Sequence, residues 1–156
     1  MSEFTIRPER DDADRVFIRG LNPRLSDVID APTHSEDEVV AFQDRFTASA
    51  WGDDIKQGAT FIAARGDGQR LGYVHVRPGV DDIADDVCGY VALLAVVAEA
   101  EGEGVGQALL ATAEAWARSM GFCRLALDVF ASNQRGCRFY EKAGYRAETI
   151  RLIKKL

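Results

Sequence analysis

The residues best suited to chemistry lie between positions 90 and 145. An apolar run from Tyr90 to Ala98 is followed by Glu101-Gly-Glu-Gly-Val-Gly106, then by Ala108, Leu109, Leu110, Ala113, Trp116 and Ala117 at helical spacing. The pattern is strand, glycine-spaced turn, helix. The first turn of a helix leaves backbone N–H groups without intrahelical partners, and the macrodipole places partial positive charge there. Glycines at alternate positions let an anion approach those amides without meeting a Cβ. The chemistry favoured by this junction is the binding of a phosphate or diphosphate. Two other nucleotide-binding classes fit poorly, because no Gly-Lys-Ser/Thr follows the glycines and no second βαβ half is present.

A second group follows the helix. Cys123-Arg-Leu-Ala-Leu-Asp-Val-Phe130 reads as another apolar strand, interrupted by Asp128. An interior carboxylate is costly unless it is paired or used. Asn133, with Ser132 before it, suits the N-cap of a last helix. Tyr140 lies two helical turns beyond Asn133 on the same face. His75 alternates with Tyr73 in a strand and reads as structural. Cys88, Cys123 and Cys137 have neither zinc nor redox spacing, so reduced packing residues and no metal site are expected.

Residues 90–145 resemble the Gcn5-related N-acetyltransferase (GNAT) family. The likeness rests on Glu101-Gly-Glu-Gly-Val-Gly106 and on Asn133 with Tyr140-Glu-Lys-Ala-Gly-Tyr145; before residue 90 only the order of elements agrees. The resemblance implies an N-acetyltransferase that takes acetyl-CoA as co-substrate and moves the acetyl group to a primary amine by direct attack in a ternary complex. A GNAT-fold module that binds acyl-CoA or a partner without catalysis is the alternative. The resemblance also implies that Leu94, Ala95 and Val96 present main-chain groups to the pantetheine arm, which requires a bulge or a splayed strand edge. Gly102, Glu103, Gly104, Val105, Gly106 and Gln107 would hold the pyrophosphate by main-chain N–H groups. Asn133 would hydrogen-bond the coenzyme, and Tyr140 would be the general acid toward the leaving thiolate. For the base, Asp128 stands where ribosomal-protein N-terminal acetyltransferases carry a glutamate; being one methylene shorter, it would work through water. Tyr90 stands where other members carry a base glutamate on the central strand, and orients water or packs. Glu101 departs from the usual Gln or Arg, which either weakens donor binding or puts a carboxylate into the anion pocket itself. Arg135, Arg138 and Lys142 could offset its charge.

These residues must be positioned by a chain of 156 residues, expected to form one domain over 1–156 with a mixed α/β sheet. Phe4-Thr-Ile-Arg alternates as a first strand that Pro8 ends. A helix capped by Asp11 or Asp12 stops near Asn22-Pro23, and residues 24–35 read as loop. Ser35 and Glu38 resemble a capping box for a second helix with Val39, Val40, Phe42, Phe46 and Ala50 on its buried side. Residues 59–65 and 70–77 form a hairpin, 78–89 a polar connection rich in aspartate, and 145–156 a terminal strand or hairpin. The order is therefore β-α-α-β-β-β-α-β-α-β with a further strand allowed, as in GNAT proteins, whose N-terminal helical pair and loop form one wall of the acceptor site. The net charge of −6 argues against nucleic acid and is compatible with a small-molecule or peptide amine. The run at 90–98 is far too short to span a bilayer, and Met-Ser-Glu-Phe-Thr-Ile-Arg lacks the regions of a signal peptide, so no membrane and a cytoplasmic location are expected. A homodimer through paired terminal strands is compatible with the pattern.

Overall fold

The computed structural model describes residues 3–52 and 57–156; Met1 and Ser2 of the opening stretch lie outside that range. Five strands form one sheet in chain order: β1 (Thr5–Pro8), β2 (Ala59–Ala64), β3 (Arg70–Asp81), β4 (Asp86–Val96) and β5 (Leu125–Leu127). The first three pairings are antiparallel, while β4 and β5 run parallel because α4 (Val105–Ser119) crosses between them. Both faces are covered. On one, Val105, Leu109, Leu110 and Ala113 of α4 meet Leu71, Val74, Val76 and Val91 of the sheet. On the other, Ile18 of α1 (Asp12–Gly20) and the adjacent Leu21 meet Ile62, Tyr73, Leu93 and Ala95. Each fully buried aliphatic side chain contributes about 1.5–3 kcal/mol relative to exposure.

The N-terminal helices are fixed by polar contacts as well as apolar ones. Asp11 caps α1, its Oδ1 accepting from Asp14 N at 3.0 Å. Asp14 itself is fully buried and accepts from Arg7 (2.7 and 2.9 Å), Arg70 Nε (2.6 Å) and Arg10 N (2.8 Å). Those donors hold its carboxyl far below the usual carboxylate range. Ser35 and Glu38 form the expected capping box at the start of α3 (Glu36–Ala48). Thr47 of α3 donates to Asn22 Oδ1 at 2.6 Å, and Asn22 Nδ2 donates to Asp44 at 3.0 Å, which ties α3 to α2 (Asn22–Ser26).

Several expectations need correction. The first helix stops where expected, at Gly20 with Leu21 as its C-cap, but Pro23 then stands in the first turn of a further helix, α2, which runs into the stretch read as loop; its missing N–H costs nothing there. On α3, Gln43 and Thr47 are buried while Val40 is half exposed, because the buried stripe carries this polar network. The aspartate-rich stretch is not a long connection. β3 runs on to Asp81 and β4 starts at Asp86, with Asp81 accepting from Ile83 N and Ala84 N to close the turn. The strand expected over 123–130 is reduced to Leu125–Leu127, and Asp128, just beyond it, is exposed rather than interior. Residues 146–156 form no strand and expose Ile150, Leu152 and Ile153. The terminal strand or hairpin expected over 145–156 is therefore not formed.

Candidate active site

The centre of the molecule is a defect in β4. His75 of β3 faces Leu93 while Val76 faces Val91, so Ala92 is an extra residue in β4, a β-bulge. Ala92 and Leu93 consequently both pack toward the α1–α3 side. On its other edge β4 pairs with β5 only at Gly89, Tyr90 and Val91. From Ala92 to Val96 that edge has no neighbouring strand among the described residues. The opening required for Leu94, Ala95 and Val96 to offer main-chain groups is therefore present.

The open edge leads to the glycine turn. After a 3-10 turn at Ala98–Ala100, Gly102 and Gly104 take φ of 81° and 84°, in the left-handed region that disfavours a side chain. Gly104 is the N-cap of α4 and supplies no side-chain cap. The first intrahelical bond is Ala108 N to Gly104 O (3.1 Å), so the amides of Val105, Gly106 and Gln107 precede it. Glu103 turns away to an ion pair with Arg65 at 2.9 Å. Glu101 receives Arg135 at 2.8 Å and Arg24, whose Nε also donates to Val96 O at 2.9 Å.

The last helix, α5 (Gln134–Lys142), closes the same end. Asn133 is its N-cap, Oδ1 accepting from Gly136 N at 2.9 Å. Ser132 Oγ donates to Val28 O (2.8 Å) and accepts from Asp30 N (2.9 Å), so the segment after α2 is strapped to the start of α5. Between strap and helix lies a cavity of about 430 Å³ lined by Asp27, Asp30, Asn133 and Arg135 among others. Tyr140, on α5, is half-buried between Phe139 and Tyr145 on the α4 side of the sheet. No hydrogen bond to its hydroxyl is made among the described residues, and burial pushes the phenol up to about 12. It keeps its proton at neutral pH.

Two of the residues singled out from the sequence meet at the end of the β4–β5 pairing. Tyr90 Oη donates to Asp128 Oδ2 at 2.7 Å. Burial and this bond both raise the tyrosine well above its ordinary range, so it stays neutral and donates to the Asp128 oxygen. Nearby, Phe42 of α3 stacks on Phe46 (5.6 Å) and meets Phe130 edge-on (6.0 Å), and Arg77 lies over Phe46 at 5.2 Å. His75 is buried and bonded to Thr60 at 2.8 Å, and burial lowers it to about 4, consistent with a structural role. No described group of His, Cys, Asp and Glu could hold a metal ion, and no described helix is long and apolar enough to cross a membrane.

Comparison with known proteins bears on this geometry. The model of the acetyltransferase (GNAT) family matches residues 25–145. The chain belongs to that family. Among curated GNAT relatives, it is 31% identical over 100 residues to aminoglycoside N(6')-acetyltransferase type 1 of Stenotrophomonas maltophilia, a match covering 62% of this chain and 65% of the relative. It is 44% identical over 55 residues to the uncharacterized N-acetyltransferase YdgE of Bacillus subtilis, covering 35% of each. The chain thus spans less than two thirds of the length of these relatives. Among solved GNAT structures, a Pyrococcus furiosus protein described as an acetyl transferase superposes with a TM-score of 0.80 at 25% identity, covering 99% of this chain and 100% of that one. AAC(6')-Iy in complex with a bisubstrate analogue shares the fold, with a TM-score of 0.67, 21% identity and 99% of each chain covered.

Sequence reasoning missed three contributors. Arg24 and the Val28–Asp30 strap come from a stretch read as loop, to which the resemblance gave a place in the acceptor wall but no contact with Glu101 or Ser132. The Tyr90–Asp128 bond joins residues far apart in sequence, and no local pattern announces it.

Proposed function

We propose that this protein transfers an acetyl group from acetyl-CoA to a primary amine by direct attack in a ternary complex. The observation that carries the reading is the open edge of β4 from Ala92 to Val96, which leads through a 3-10 turn and the glycine turn to the start of α4. An extended arm with a diphosphate at its end fits such a groove. Leu94, Ala95 and Val96 hold the arm, the amides from Gly102 to Gln107 take the diphosphate, and Asn133 contributes at the start of α5.

The thioester supplies the activated acyl group; the chain supplies position and proton transfer. The amine nitrogen forms a bond to the carbonyl carbon as the carbon–sulfur bond breaks. Tyr140, protonated through neutral pH, gives its proton to the departing sulfur. Asp128 receives the amine proton through water, held in place by the Tyr90 hydroxyl, which makes Tyr90 a positioning residue. The free cysteines Cys88, Cys123 and Cys137 lie outside the glycine turn and the open edge, so no acyl-cysteine step is invoked. Phe130, two residues beyond Asp128, packs on Phe42, which stacks on Phe46, a setting for an amine borne on an apolar or ring-containing body.

The test is thiol release from acetyl-CoA over a panel of amines, including aminoglycosides, polyamines and peptide N-termini. Amine-dependent release with acetylated product supports the reading. Donor binding with no release for any amine would leave a non-catalytic acyl-CoA module instead.

A further inference from the structure

Three charged side chains from three different elements meet at the mouth of the groove. Glu101, in the turn after β4, offers one oxygen to Arg24 of α2 and the other to Arg135 of α5. Arg24 is bonded in addition to the carbonyl of Val96, the last residue of the open edge. The triad therefore ties α2 and α5 to the turn that leads from the open edge to the amides that open α4. Its members stay accessible to solutes, with side-chain exposures of 40% for Arg24, 32% for Glu101 and 69% for Arg135. The triad itself, two guanidiniums against one carboxylate, carries one net positive charge and precedes a helix start that adds more, while Asp27 and Asp30 line the same cavity as Arg135. A guanidinium fork matches phosphate oxygens as well as it matches a carboxylate, and a diphosphate brings more charge and more acceptors than Glu101 does.

Resting on the function proposed above, we infer that Arg24 and Arg135 are phosphate-binding residues for the acyl donor, and that Glu101 is a built-in competitor which occupies them until the donor arrives. The left-handed glycines at 102 and 104 uncouple the carboxylate from α4, so Glu101 can turn aside without disturbing the amides. Exchange also frees Arg24 to leave Val96 O, opening the last carbonyl of the edge. The departure of position 101 from Gln or Arg is on this view a means of weakening donor binding while keeping both arginines placed.

The experiment is calorimetric titration of the full chain with coenzyme A and with 3'-dephospho-coenzyme A. Variants are Glu101→Gln, the pair Arg24→Ala with Arg135→Ala, and the triple combination, with melting temperatures recorded for each. Glu101→Gln is expected to bind about fivefold tighter, the scale of one exposed ion pair. In the background lacking both arginines the same substitution is expected to give no gain. Equal gains with both ligands place the guanidiniums on the diphosphate, and a gain confined to coenzyme A places them on the 3'-phosphate. Unchanged or weaker binding by Glu101→Gln overturns the inference. So does a gain that persists without the arginines, since that is plain repulsion between carboxylate and phosphate. Binding by Glu101→Gln where the parent shows no heat supports it in its strongest form. If neither binds, the donor reading itself fails and this inference falls with it.

Discussion

In the proposed mechanism Tyr140 and Asp128 divide the proton work because their surroundings differ. The Tyr140 phenol is packed among Phe139 and Tyr145 and holds its proton, while Asp128 is exposed and already accepts from Tyr90. Tyr140→Phe should lower kcat by about 100-fold, within the range for loss of a general acid, with coenzyme A affinity unchanged in titration. Asp128→Asn should cost a similar factor in kcat, and Tyr90→Phe less, because the carboxylate survives and loses only its holder. Steady-state kinetics with a fixed amine separates the three. At this scale the sequence was legible where one residue type has one cheap explanation: Asn133 caps α5, whereas the glycines at 102 and 104 were read for close approach of an anion and prove also to take positive φ. It was opaque where function depends on a partner far along the chain. Asp128 was conspicuous for being in an apolar stretch, yet the physical reason differs, since the strand ends one residue before it.

The elements explain why the groove exists. One extra residue, Ala92, bends β4 and turns two successive side chains to the same face, while β5 is only long enough to pair through Val91. Neither feature has a local sequence signature, because a bulge is set by what two strands bury on each side. The helix that follows was legible from its apolar spacing, and α3 from its capping box. The β3–β4 hairpin was misread as a connection because four aspartates suggest loop, although two of them end strands. At this scale Gly104→Ala is the informative change. Its φ of 84° forces an alanine into the left-handed region at about 1 kcal/mol, a loss of about 2–4 °C in Tm for a chain of this size. Coenzyme A binding should weaken beyond that stability loss, since the first amides of α4 are re-aimed; comparison with Gly66→Ala, at a surface turn of ordinary φ, provides the control.

At the scale of the molecule, the sheet is locked to α1 by one buried carboxylate. Asp14 gathers Arg7, Arg70 and the Arg10 amide, and its folded pKa lies below that of an unfolded aspartate. A group depressed on folding contributes stability that is fully present above its unfolded value near 3.9 and is lost as pH falls toward the folded one. Tm should therefore drop on acidification below about pH 4. Asp14→Asn should cost about 3 kcal/mol at neutral pH, because two guanidiniums lose their shared anion, and should flatten the acid limb of the Tm profile. The same scale shows what an order of elements cannot: both faces of the sheet are covered and the groove runs between them, while residues 146–156 stay unpaired. The most direct measurement is hydrogen–deuterium exchange with and without acetyl-CoA. Slowed exchange is predicted together in peptides covering residues 92–96 and 104–107, with β1 and β2 unchanged. Unaltered exchange in both segments at saturating donor would contradict the placement of the donor along β4 and the start of α4.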